Sequence, residues 1–270
     1  KASITLIAFS DVLGLIAIIL LIIYFFKKDN FNPLNSLFKY DFKKVKFLIK
    51  KGLPLTFSGL LIVLNLRMDT LLIGHLLGLK YVSLYTIGSR IPRLIPTWIS
   101  AIENTVLPVN IKESKNDKSM KRAIIKTYSF TFIITLSICL TLFYLAPLIT
   151  INLFGDKYQD SILIFRVLLI LPVLSTLSRS QSQYAIITGK TGVVFKRQLI
   201  IFVTNFSLNL VLIPNYGVLG AAVATVVSFL IANIIYLIID NNFRTIISYI
   251  IFKPDITYLH KLIIRNKRNR

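Results

Sequence analysis

Apolar residues run in seven long blocks, separated by short connections where Lys, Asp, Asn and Pro gather. The blocks are 3–26, 52–74, 82–108, 123–145, 161–187, 195–213 and 217–239. Each is near the ~20 residues that a helix needs to cross a bilayer. A segment in hydrocarbon must satisfy its own backbone polar groups, so the blocks predict transmembrane helices. Block 82–108 departs from the others. It carries Arg90, Arg93 and Glu103, and Thr86, Arg90, Arg93, Thr97, Ser100 and Asn104 recur at steps of 4, 3, 4, 3 and 4. That spacing stacks them on one helix face. The opposite face is Leu, Ile, Val and Trp98. A polar stripe running the length of a span cannot face lipid, so this block predicts one wall of a hydrophilic, positively charged path.

The basic residues in the connections fix an orientation. With the first block ending in the cytoplasm, the inside segments hold eight Lys in 27–51, five Lys and Arg in 110–122, three in 189–197 and seven in 241–270. The outside segments hold Lys1, Lys80 and Lys157 only. The alternation never fails, which places the C-terminus in the cytoplasm. It also disposes of a nucleic-acid reading of the net charge of +21, because the charge follows a membrane rule. With 55% apolar residues, the class is an all-α integral membrane protein. Segment 27–51 alternates Phe38, Phe42, Val45, Phe47 and Leu48 with lysines. The tail 241–270 places Ile246, Ile247, Ile250, Ile251 and Phe252 before a basic run, Lys261 to Arg270. Both predict amphipathic helices on the inner membrane face that bind anionic lipids, or basic loops that only set topology. The chain opens at Lys1 beside an apolar block and reads as a cut piece rather than a cleavable signal peptide.

Ionisable groups inside a span are costly and call for a reason. Ser58, Asn65 and Asp69 share a face of the second block. Arg67, two residues from Asp69, points nearly away from it. Asp69 lies at a depth where Arg90 or Arg93 of the descending third block can meet it, as a structural ion pair or as part of a cavity wall. The fifth block carries Arg166, Pro172 and Arg179, with a polar inner half of Ser175, Ser178, Gln181, Ser182 and Gln183. Arg179 is deep enough to line a cavity. Asp11 is a partner in an interhelical hydrogen bond, a counter-ion to one of these arginines or a protonatable coupling site. Glu103, near the inner end, has Lys126 or Arg122 across a short turn as expected partners. Asn205 and Asn209, one turn apart, predict an interhelical hydrogen-bond site, and the small residues from Gly217 to Thr225 predict close helix packing. Cys139 is alone, no metal-ligand spacing or phosphate loop occurs, and no cofactor is expected. The outer loops are too short for an extramembrane catalytic site, so an enzyme is not expected.

Four motifs carry a resemblance. Pro214-x-Tyr216-Gly217-x-x-Gly220-Ala221-Ala222-x-Ala224-Thr225 resembles the signature of polysaccharide (O-antigen-type) flippases in the multidrug/oligosaccharidyl-lipid/polysaccharide exporter superfamily. Asp69-x-x-x-Ile73-Gly74-x-x-Leu77-Gly78-x-x-x-Val82-x-x-Tyr85 resembles the turn between their seventh and eighth helices. Phe154-Gly155-x-x-Tyr158 and Thr188-Gly189-Lys190 fit later loops. The resemblance covers about residues 50–240. It implies that 1–26 is the last helix of an absent N-terminal lobe, 27–51 a cytoplasmic linker, 52–240 a six-helix C-terminal lobe and 241–270 a cytoplasmic tail. It also implies transport of an undecaprenyl-pyrophosphate-linked oligosaccharide across a bacterial cytoplasmic membrane by alternating access, with H⁺ or Na⁺ as coupling ion and a polysaccharide polymerase and chain-length machinery as partners. The substrate-cavity residues expected on this view are Arg67, Asp69, Arg90, Arg93, Thr97, Asn104 and Arg179, with Asp11 and Asp69 as coupling candidates. The alternatives are a drug exporter or lipid II flippase of the same superfamily, or a membrane enzyme of glycan assembly. A cation exporter would want an acid-dominated cavity, which the arginines oppose.

Overall fold

The computed structural model describes residues 42–112 and 116–254. Block 3–26 with Asp11, the linker to residue 41 and the tail from residue 255 lie outside the described residues. The chain divides into residues 1–50 and residues 51–270. Of the first unit only 42–50 are described, and they are helical. The second unit holds the helical bundle.

Every regular element among the described residues is helical: α1 (Phe42–Leu76), α2 (Leu79–Lys112), α3 (Asp117–Phe154), a 3₁₀ turn (Asp156–Tyr158), α4 (Ser161–Leu168), α5 (Ile170–Ile187), α6 (Thr191–Ile239) and α7 (Asn241–Phe252). Four helical stretches are long and apolar enough to cross a membrane: Lys46–Leu76, Asp117–Phe154, Ser161–Ile187 and Thr191–Ile239. The charged helix α2 is not among them. The predicted block 161–187 is broken at Leu169 into α4 and α5. Pro172 has no N–H to offer the Leu168 carbonyl, so the ladder fails there.

α6 is two helices in one run. Gly217 sits at φ 60°, ψ −142°, a left-handed conformation that favours glycine. Beyond it the chain folds back: Asn205 bonds Thr225, Arg197 bonds Asn233 and Val193 O accepts from Tyr236. These pairings make an antiparallel hairpin whose limbs match blocks 195–213 and 217–239. Ala221, Ala222 and Ala224 are wholly buried in it, as the small-residue run predicts.

α2 packs on α3, α4 and α5; α3 packs on α5 and α7; α5 packs on α6. Two apolar clusters close the ends of the bundle. Ile73, Tyr85, Ile164, Leu168, Ile213 and Ala221 fill the end away from the basic segments. Leu107, Ile124, Tyr128, Tyr184, Tyr236, Phe243 and Ile246 fill the basic end. Outward, Leu71, Tyr144, Leu148, Val211 and Ile238 stand 59–77% exposed, an apolar girdle suited to lipid. α7 differs from the expected surface helix. Asp240 caps its first turn, and Ile246, Ile247 and Ile250 are buried against α3 and the ends of α5 and α6. Only Ile251 and Phe252 of the predicted apolar set are exposed. Core burial on the bundle wins because Tyr128, Tyr184 and Tyr236 offer α7 an apolar seat.

Candidate functional site: an ion-paired cleft

A cleft of about 360 Å³ opens between α1, α2, α5 and the α6 hairpin. Its wall on α1 is Ile62, Asn65, Leu66 and Asp69, a 3–4 spacing that puts all four on one face. α2 presents Pro92, Arg93, Pro96, Thr97 and Ser100. α5 adds Leu171, Ser175 and Arg179, and α6 adds Gln198 from one limb and Thr225 and Phe229 from the other.

Each end of the cleft holds a buried carboxylate and a partly exposed guanidinium. Asp69 is fully buried. Its Oδ2 accepts from Tyr85 Oη (2.6 Å), Arg93 Nη2 (2.9 Å) and Thr225 Oγ1 (3.1 Å), and its Oδ1 accepts from Asn209 Nδ2 (3.0 Å). Asn205 supports both neighbours, accepting from Asn209 and donating to Thr225. Arg93 also donates to the Leu66 carbonyl and lies over the Tyr85 ring. Its side chain is 23% exposed. At the other end Glu103 is buried, and Arg179 grips it from α5 with Nε (2.7 Å) and Nη2 (3.1 Å). Arg179 donates further to Ser175 and Thr176. Thr131 donates to Glu103. Arg93 and Glu103 are ten residues apart on α2, about 15 Å at the helical rise.

The structure thus brings Asp69, Arg93, Thr97 and Arg179 to one cleft. Arg67, Arg90 and Asn104 are exposed and outside its lining. Arg90 and Asn104 extend the same face of α2 past the cleft's ends, whereas Arg67 points away, as its offset from Asp69 requires. The expected Asp69–Arg93 contact is made. Glu103 is a correction: it pairs with Arg179, not with Lys126 or Arg122. The Arg179 fork satisfies both carboxylate oxygens from across the helix interface, which the single ammonium of Lys126 could not match. Among the described residues no group of three or more His, Cys, Asp or Glu is placed to hold a metal.

Two residues escape the sequence reading. Gln198 lines the cleft, and Arg197, counted there as a loop charge, is fully buried. Arg197 donates to Gln181, Asn233 and the Ser178 carbonyl, and sits over the Tyr236 and Phe243 rings. It thereby ties α5, both limbs of α6 and α7 together. Its partners lie 16 and 36 residues away in sequence, so no local spacing announces it. Arg197→Met is expected to cost about 2 kcal/mol, chiefly from acceptors left without donors. Arg197→Lys should recover little of this, since an ammonium cannot span the fork. Thermal unfolding in detergent micelles reads both, and wild-type stability in either variant would remove the pin.

A helical bundle with apolar outer faces around an ion-paired cleft defines a multi-pass membrane protein. The family described as "Polysaccharide biosynthesis protein" matches residues 6–163, and the chain belongs to that family. It is similar to the "Probable low-salt glycan biosynthesis flippase Agl15" of Haloferax volcanii, 26% identical over 219 residues, 78% of this chain and 43% of the relative. It is also similar to the "Capsular polysaccharide biosynthesis protein CapF" of Staphylococcus aureus, 28% identical over 198 residues, 72% of this chain and 49% of the relative. The chain spans about half the length of these relatives. No solved structure matches.

Proposed function

We propose that this chain is the C-terminal part of a flippase that carries a polyprenyl-diphosphate-linked oligosaccharide across the cytoplasmic membrane by alternating access. In a bacterium the carrier would be undecaprenyl. The carrying observation is the cleft with a guanidinium at each end. Arg93 and Arg179 keep part of their fork open to the cleft while their carboxylates lie behind them. Phosphate oxygens accept from a guanidinium as carboxylate oxygens do, so a diphosphate can share or take over these donors. The low-salt glycan named for one relative and the capsular polysaccharide named for the other support a glycan as the substrate class.

On this reading residues 1–270 cross the membrane seven times. Residues 1–26 close a partner lobe, 27–51 form the cytoplasmic linker, 52–240 form the six-span lobe and 241–270 the cytoplasmic tail. Arg90 and Asn104, exposed on the cleft's face of α2, and Arg67 on α1 would meet the substrate or the partner lobe across a shared cavity. Asp69, and Asp11 in the first block, are the candidates for H⁺ or Na⁺ coupling. A polymerase and chain-length machinery would receive the product.

The test is reconstitution of the full-length protein in liposomes with a labelled short-chain polyprenyl-diphosphate oligosaccharide. Protein-dependent translocation is expected, and its absence refutes the assignment. Arg93→Ala should slow it about tenfold or more, the worth of one charged hydrogen bond. Arg93→Lys should fall between, and Arg90→Ala should cost less than Arg93→Ala. Normal transport by folded Arg93→Ala would take Arg93 out of the mechanism.

A further inference from the structure

The two ion pairs stand about 15 Å apart along α2, and both arginines line the same cleft. Two phosphates joined through one oxygen cannot reach both. Whichever arginine holds them, the cleft between the pairs receives what the diphosphate carries. The polar groups in that stretch are unlike those at its ends. Asp69, Arg93, Glu103 and Arg179 are all hydrogen-bonded within the protein. The Asn65 amide is not. It bonds to no described residue, and its Oδ1 is buried. Neither the Thr97 hydroxyl nor the Gln198 amide bonds to a described residue either, and all three side chains line the cleft. Thr97 lies one turn from Arg93 toward Glu103, and Asn65 lies one turn from Asp69 on α1.

We propose that the middle of the cleft is a sugar subsite, in which Asn65 and Thr97, with Gln198 on the α6 wall, read the hydroxyl or acetamido groups of the sugar bonded to the diphosphate. This rests on the reading above that a polyprenyl-diphosphate glycan enters the cleft. Donor and acceptor chemistry selects the occupant. An ionised diphosphate diester offers acceptors only, so it suits Arg93 but leaves the Asn65 oxygen unmet. A polyprenyl chain offers neither donor nor acceptor, and would seal three polar groups away from water without partners. A sugar hydroxyl both donates and accepts, and an acetamido group brings an N–H and a carbonyl. Either can meet both ends of a side-chain amide. Phe229, across the cleft, gives the C–H face of the ring an apolar wall. The order along the cleft follows. The diphosphate lies at Arg93, the sugar bonded to it lies one turn further along at Asn65 and Thr97, and the Arg179 end is left to the next ring.

The measurement is titration calorimetry on the full-length protein in nanodiscs, with probes that share one short-chain polyprenyl diphosphate. One ends in N-acetylglucosamine, one in glucose and one in a methyl ester, so charge is equal and only the sugar differs. The better sugar probe should bind about tenfold or more tightly than the methyl ester, the discrimination expected when a site's polar groups are otherwise left unpaired. Asn65→Leu and Thr97→Val should each cut that ratio about three- to tenfold by weakening the sugar probe. Neither side chain gives up a hydrogen bond to a described residue, so both variants should fold. Arg93→Ala should weaken every probe alike and keep the ratio, which separates reading of the sugar from grip on the phosphates. Equal binding of all probes by the wild type overturns the sugar subsite while leaving the diphosphate reading intact. So does a full wild-type ratio in the double variant Asn65→Leu with Thr97→Val. No binding of any probe by the wild type overturns the diphosphate reading and this proposal with it.

Discussion

Asp69→Ala is expected to lower stability by about 4 kcal/mol, the cost of breaking a buried ion pair from one side. The loss is large because four donors converge on this carboxylate. Without it, Tyr85 Oη and Asn209 Nδ2 are left in a fully buried site, and Arg93 keeps only the Leu66 carbonyl and the Tyr85 hydroxyl. The donors come from α2 and both limbs of α6, so the same change unties α1 from the bundle. For a bundle of this size the shift should be about 10 °C in the unfolding midpoint, read by thermal unfolding in detergent micelles. Asp69→Asn keeps the shape and one acceptor oxygen, and should lose about half as much. A midpoint for Asp69→Ala within a degree or two of wild type would show that the cluster holds nothing together. Stability and transport then part company in a useful way. An Asp69→Asn protein that folds but transports poorly would assign the charge, rather than the scaffold, to function.

How much of this is legible in the sequence depends on the range of the interaction. Helix-forming blocks follow from apolar runs, and the polar stripe of α2 follows from a 3–4 spacing, because both are local. Asp69 with Arg93 can be foreseen, since the two helices are consecutive and joined by a short turn at Gly78. Asn205 and Asn209 can be marked as a hydrogen-bonding pair, but Asp69, 140 residues from Asn209, cannot be named as their partner. Sequence offers Glu103 only its neighbours, whereas its partner Arg179 is 76 residues on. Arg197 is the deepest miss. Positive-inside counting treats an arginine at a helix start as solvated, and nothing nearby says that Asn233 will fold back over it. The tail's apolar residues read as facing lipid because the aromatic seat that buries α7 is built from three other helices.

The stripe and the pairs also bear on how the cleft treats charge. Sequence alone suggests an arginine-lined path. The described cleft instead meets each of its two guanidinium groups with a buried carboxylate. A fixed surplus of positive charge would hold a diphosphate tightly and release it slowly. Paired arginines bind by exchange, so part of the affinity is returned when the carboxylates reclaim their partners. That suits a carrier, which must let go on the far side, better than a receptor.

A second large effect on folding is expected at a residue with no side chain. Gly88 lies on α2 where that helix crosses the start of α4. A Cβ placed there would stand 2.8 Å from the Ser161 carbonyl oxygen and 2.9 Å from both Cβ and Cγ2 of Ile164. The carbonyl is backbone and Ile164 is β-branched and buried, so neither yields by a rotamer change. Ser161 Oγ donates to the Leu84 carbonyl, which pins the two helices at the point of crossing. Relief would have to come from moving α4 off α2, opening the cluster of Tyr85, Ile164 and Leu168. Gly88→Ala gains about 1 kcal/mol of helix propensity against about 3 kcal/mol of overpacking, a net loss of about 2 kcal/mol. Gly88→Leu gains the same propensity but cannot be housed at all. It is expected to cost about 4 kcal/mol or more by the same scale, with most of the protein lost from the membrane fraction. Gly59, also on a helix but with open space around its Cβ position, provides the control: Gly59→Ala should be neutral or slightly stabilising. Equal expression and melting of Gly88→Leu and wild type would mean that α2 and α4 do not cross this closely, and the wall carrying Arg93 would have to be redrawn.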